Sequence, residues 1–104
     1  MRACIIDPST TFQHVLGIKL SVLGIEVADF ATGREALEHI DPKEIDLVIA
    51  ALVLEDMSGP DFCKTLRGKG VKGIPVIMLT STECERLQIT GMQSGITEIF
   101  QKSN

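Results

Sequence analysis

Six consecutive residues, Leu47-Val48-Ile49-Ala50-Ala51-Leu52, carry no polar side chain. A strand with one face in water alternates apolar and polar residues. An unbroken run therefore predicts a central parallel strand covered on both faces. Two further runs share this character: Ala3-Cys4-Ile5-Ile6 before Asp7-Pro8, and Pro75-Val76-Ile77-Met78-Leu79 before Thr80-Ser81. Ile25–Phe30 alternates as a strand, and a last strand is expected at Ile96–Phe100.

Helical patterns fill the intervals. Residues 11–23 place Phe12, Leu16, Leu20 and Leu23 on one face at 100° per residue, with Val15, Ile18 and Val22 as a second stripe beside it. Ser9 or Thr10 can cap this helix, and Gly24 stops it. Thr32-Gly33-Arg34-Glu35 opens a short helix through Leu37 and Ile40, ended by Asp41-Pro42. Pro60 fits the first turn of a third, which buries Phe62 and Leu66. A fourth follows Thr80-Ser81 and runs to about Ser94, and Gly95 comes after it. Five strands alternating with four helices predict a doubly wound α/β sheet in a single domain, residues 1–104. Sites in such sheets lie beyond the carboxyl ends of the strands. That directs attention to Asp7-Pro8, Ala51 to Glu55, Thr80-Ser81 and Lys102.

Composition narrows the class. With 44% hydrophobic residues, 23% charged and a formal net charge of −4, the chain reads as a soluble cytoplasmic domain. The acidic balance argues against a nucleic-acid footprint. No apolar run approaches the ~20 residues of a membrane span, and no leader pattern precedes the first strand. Cys4, Cys63 and Cys84 are widely spaced and lack the pairing of a zinc or redox motif, so they read as small buried hydrophobes. Met57, Met78 and Met92 read as core filler. Gly68-Lys69-Gly70-Val71-Lys72-Gly73 follows a helix and does not lead into one, so it lacks the amides of a phosphate cradle and reads as a connector. Asp7-Pro8-Ser9-Thr10-Thr11 has no glycine for close backbone approach to a flavin phosphate.

The strand-end residues, at these intervals, resemble the receiver domain of two-component response regulators, over the whole chain. Asp7-Pro8 stands where the receiver has a pair of acids. Counting back from Met57-Ser58-Gly59, which matches a Met-Asp-Gly-like turn, the phospho-accepting Asp position falls on Ala51. Thr80 matches the Thr or Ser that ends the fourth strand. Gly95-Ile96-Thr97-Glu98 matches the turn into the last strand, and Lys102 matches the Lys that ends it. Thr32-Gly33-Arg34-Glu35-Ala36-Leu37 looks like the family's second helix. The resemblance implies a flavodoxin-like strand order, 2-1-3-4-5. It also implies signalling without enzymatic turnover, and partners such as a histidine kinase or a fused output domain.

Departures from the family pattern shape the functional expectation. Receiver chemistry uses three carboxylates to hold Mg²⁺, one of them the nucleophile. Ala51 has no nucleophilic atom and Pro8 no carboxylate. Asp7 with the Val53 carbonyl is a poor metal site, and Glu55 and Asp56 are expected to face solvent. Ile99 stands where receivers carry Tyr or Phe, and Ser103 where a proline follows the Lys. The expected function is a pseudo-receiver acting by protein–protein contact, with Asp7, Thr80 and Lys102 as remnants and neither metal nor cofactor. The alternative is a conventional Mg²⁺-dependent receiver with an engineered Asp-to-Ala change at position 51, whose parent uses Mg²⁺. Four departures in one site fit the first reading better than a single engineered change.

Two structural expectations follow. Without an acceptor carboxylate, Lys102 should pair with Asp7 or turn into solvent, because a buried unpaired ammonium is costly. The resemblance also implies a fifth helix beside the first, for which no residues remain before Asn104. The stripe Val15, Ile18 and Val22 is more apolar surface than the sheet can cover. Leaving it in water forgoes roughly 1.5–3 kcal/mol per side chain, so a homodimeric contact through the first helix is expected.

Overall fold

A computed structural model describes residues 1–81 and 95–102 of the chain. Five strands, β1 (Arg2–Ile6), β2 (Glu26–Phe30), β3 (Leu47–Ala51), β4 (Val76–Thr80) and β5 (Glu98–Gln101), form one parallel sheet in the order β2-β1-β3-β4-β5. Three helices lie among the described residues: α1 (Thr10–Val22), α2 (Gly33–His39) and α3 (Gly59–Gly68). The fourth expected helix, Cys84, Met92 and Ser103 fall outside the described residues. None of the described helices is long and apolar enough to cross a membrane.

The unbroken apolar runs become strands because both sheet faces are covered there. In a parallel sheet, side chains of partnered residues share a face and alternate along each strand. Cys4, Ile6, Val48, Ala50, Val76 and Met78 meet Ala36 of α2 and Phe62 and Leu66 of α3 in the main core. Ala3, Ile5 and Ile49, also buried, occupy the opposite face together with Val27, which lies under Gly17 of α1. Burial pushes the Cys4 thiol up to about 12, and it raises that of Cys63. Both are thereby weaker nucleophiles than a free thiol.

Helix ends follow local chemistry. Ser9 caps α1 by accepting the Phe12 amide through its hydroxyl, and Ser58 caps α3 by accepting that of Asp61. Gly24 takes φ +82°, the left-handed conformation that ends α1. This turn corrects one expectation: Leu23 does not join Phe12, Leu16 and Leu20 against the sheet. It is the residue that terminates the helix, and it is 73% exposed.

The crossing from β3 to α3 is tight. The Gly59 amide donates to the Leu52 carbonyl at 2.6 Å, and a Cβ there would meet the Ala51 carbonyl and the Met78 sulfur. No larger residue fits without moving the end of β3.

Candidate functional site

The carboxyl ends of β1, β3, β4 and β5 surround a cleft of about 110 Å³ lined by Asp7, Pro8, Ala51, Val53, Thr80 and Lys102, among others. Its members come from strand ends 95 residues apart in sequence, brought together by the strand order. Every remnant that the sequence singles out is here.

Asp7 follows β1 and is 1% exposed. One carboxylate oxygen accepts the Ser9 amide at 2.8 Å, and the other accepts from the Lys102 ammonium at 2.7 Å. Lys102 therefore takes the first of its two expected courses. Its Nζ also lies 4.2 Å from the centre of the Phe12 ring, a cation–π contact supplied by the first turn of α1. The ammonium is held between a carboxylate and an aromatic face. The Lys102 amide donates to the Thr80 carbonyl at 2.7 Å, which fixes the end of β5 beside that of β4. Thr80 is fully buried.

Ala51 is 5% exposed at the end of β3 and contributes only a methyl group to the cleft. Pro8 and Val53 are exposed, and Val53 pairs with Ser58 in an isolated bridge across the following turn. Ile99 packs against the main core from β5. As a Mg²⁺ site the donor set fits poorly. Its one carboxylate already holds an ammonium and an amide, and no group of three His, Cys, Asp or Glu side chains converges among the described residues.

Three residues that organise the site escape sequence reasoning. Gln13 is buried on α1, and its side-chain amide donates to the backbone carbonyls of Asp7 and Phe30, the latter at 2.8 Å. It ties α1 to the ends of β1 and β2. Arg67 on α3 donates to the carbonyls of Gly95, Val71 and Ile74. It anchors the entry to β5, and so the strand that carries Lys102. Asp56, exposed as expected, nonetheless has both oxygens engaged, by the amides of Gly33 at 3.0 Å and Arg34 at 2.9 Å. With Thr32 accepting the Glu35 amide, it caps α2 from the turn after β3.

The Arg34 amide is the main reason the Asp56 carboxyl lies below its ordinary 3.8, with the Gly33 amide adding to it. A lowered folded-state value means the contact is fully present above the unfolded value and is lost as pH falls through the folded one. Asp56→Ala should therefore lower stability at neutral pH by less than about 1 kcal/mol, because the carboxylate is solvated. The gap between variant and parent should narrow as pH falls below the ordinary 3.8 and through the lowered folded-state value. Urea unfolding at neutral and acidic pH checks this. A gap independent of pH would show that the carboxylate charge contributes nothing.

Comparison with known proteins agrees with this geometry. The model of the response regulator receiver domain matches residues 3–104. The regulatory protein VanR of Enterococcus faecium is 34% identical over 101 residues, which is 97% of this chain and 43% of VanR. The DNA-binding response regulator MtrA of Mycobacterium tuberculosis is 30% identical over 97% of this chain and 43% of its own length. The chain thus spans less than half the length of these curated relatives. Among solved structures, the chemotaxis response regulator CheY4 of Vibrio cholerae superposes with a TM-score of 0.87 at 26% identity, covering 99% of this chain and 87% of that one. By fold, strand-end geometry and sequence, this chain belongs to the response regulator receiver domain family.

Proposed function

We propose that this chain is a receiver module that signals by protein–protein contact and does not accept a phosphoryl group on β3. The observation behind this reading is the buried methyl group of Ala51 at the acceptor position, beside an Asp7 already neutralised by Lys102. In a conventional receiver the carboxylates need a divalent cation to approach neutrality. Here one carboxylate and one ammonium balance without it, so the module takes no Mg²⁺ and performs no turnover. Its partners are other signalling proteins, a histidine kinase or an output domain in the same polypeptide, met in the cytoplasm.

Restoring the acceptor tests the reading. Ala51→Asp, offered a small-molecule phosphodonor with Mg²⁺, should accumulate little acylphosphate, because Pro8 still supplies no second metal-binding carboxylate. Adding Pro8→Asp should raise the yield by at least about tenfold. Acylphosphate is quantified by intact mass. Robust phosphorylation of the single variant would instead favour a conventional receiver carrying an engineered alanine.

A further inference from the structure

The turn between β3 and α3 is closed on itself. The Gly59 amide donates to the Leu52 carbonyl at 2.6 Å, the Leu54 amide donates to the Met57 carbonyl at 3.1 Å, and Val53 bridges to Ser58 between them. These contacts give residues 52–59 the form of a small hairpin, not a free loop. Its base lies at the acid cleft, which Leu52 and Val53 help to line, and Val53 is 65% exposed.

The tip of this hairpin holds the start of α2 in two ways. Asp56 accepts the Gly33 amide on one carboxylate oxygen and the Arg34 amide on the other. The first amides of a helix have no partner within it, so the turn supplies what α2 cannot. Met57 lies over buried Gly33, its sulfur 2.7 Å from where a Cβ would stand, and covers bare backbone. The carbonyl of the same Met57 accepts the Leu54 amide, so the grip on α2 and the closure of the hairpin share a residue. With seven residues, α2 is too short to persist without such outside contacts.

We propose that residues 52–59 and the first turn of α2 open and close as one unit, which couples the rim of the acid cleft to α2. Loosening the hairpin at its base frees the start of α2, and releasing α2 at the tip frees the base. Such coupling is reciprocal, so a protein seated on the start of α2 stiffens the rim of the cleft, and a contact at the rim stiffens α2 to the same degree. The device holds whether or not position 51 can be phosphorylated.

Amide hydrogen exchange followed by NMR on the intact chain tests it. In the parent, the Leu54, Gly33 and Arg34 amides should open with one free energy, below that of the β1 amides of Ile5 and Ile6. Val53→Gly removes a side chain that is mostly in water and softens the base of the hairpin. It should raise exchange at Gly33 and Arg34 by roughly three- to tenfold. Asp56→Asn leaves the bonds within the hairpin in place, yet it should raise exchange at Leu54 by a similar factor. The Gly24 and Gly70 amides, which close turns elsewhere, should not change in either variant. Exchange that rises only at the amides each variant touches would overturn the proposal, because hairpin and helix would then open independently. So would three amides that exchange only with the β1 strand, since no smaller unit would then exist.

Discussion

Replacing Arg67 with alanine should lower the stability of the domain by about 3 kcal/mol, roughly 10–20 °C in Tm. One guanidinium donates four hydrogen bonds to three backbone carbonyls, at distances from 2.6 to 3.2 Å. These carbonyls belong to the connector after α3 and to the turn into β5. A planar fork satisfies them together, which a point-charge ammonium cannot do. Arg67→Lys should therefore recover less than half of the loss. Gly95 sharpens the case. It adopts φ +85°, and a Cβ there would meet the Arg67 side chain, so the turn is built around this residue. Thermal unfolding of both variants decides the matter. A Tm within about 2 °C of the parent for Arg67→Ala would show that water replaces the guanidinium freely.

Lys102→Met should cost about 2–4 kcal/mol, near the range for breaking a buried pair and reduced because one partner is partly wet. The side chain of Lys102 is 25% exposed and that of Asp7 2%, so the two partners are unequal. Removing the ammonium strands a buried carboxylate whose remaining partner among the described residues is the Ser9 amide. Asp7→Asn leaves an ammonium that can turn outward and still lies over Phe12. That variant should cost only about 1 kcal/mol. Denaturant midpoints at fixed m-value test the order. If Asp7→Asn proves as damaging as Lys102→Met, the asymmetry of burial does not govern the pair.

The fold was legible where backbone physics is local. Apolar runs bounded by turn residues marked β1, β3 and β4, Ser9 and Gly24 bracketed α1, and Pro60 marked the start of α3. The meeting of Asp7 with Lys102 was legible too, because removing one anion from a charged cluster leaves few places for its cation. Gln13 was not legible. A single glutamine in an amphipathic helix reads as a surface residue, and only the path of β2 brings the Phe30 carbonyl under it. Asp56 and Arg67 escaped for the same reason. Their partners are backbone groups without a side-chain signature, and three of them, Gly33, Arg34 and Gly95, lie 22 to 28 residues away. The acidic composition, for its part, speaks for these residues alone. The DNA binding named for MtrA belongs to a protein of more than twice this length.

Gln13 has a mechanical meaning that outlasts its role in packing. Its amide is a strap with one end in α1 and two prongs on the carbonyls that close β1 and β2, and one prong grips the backbone of Asp7 itself. The same side chain lines a groove at the outer edge of the sheet. A load applied to the outside of α1 thus reaches the acid cleft through Gln13 as well as through Phe12. Sliding or rolling the helix would tear both prongs or drag the Asp7 carbonyl along, so any protein seated on α1 holds the cleft by a handle.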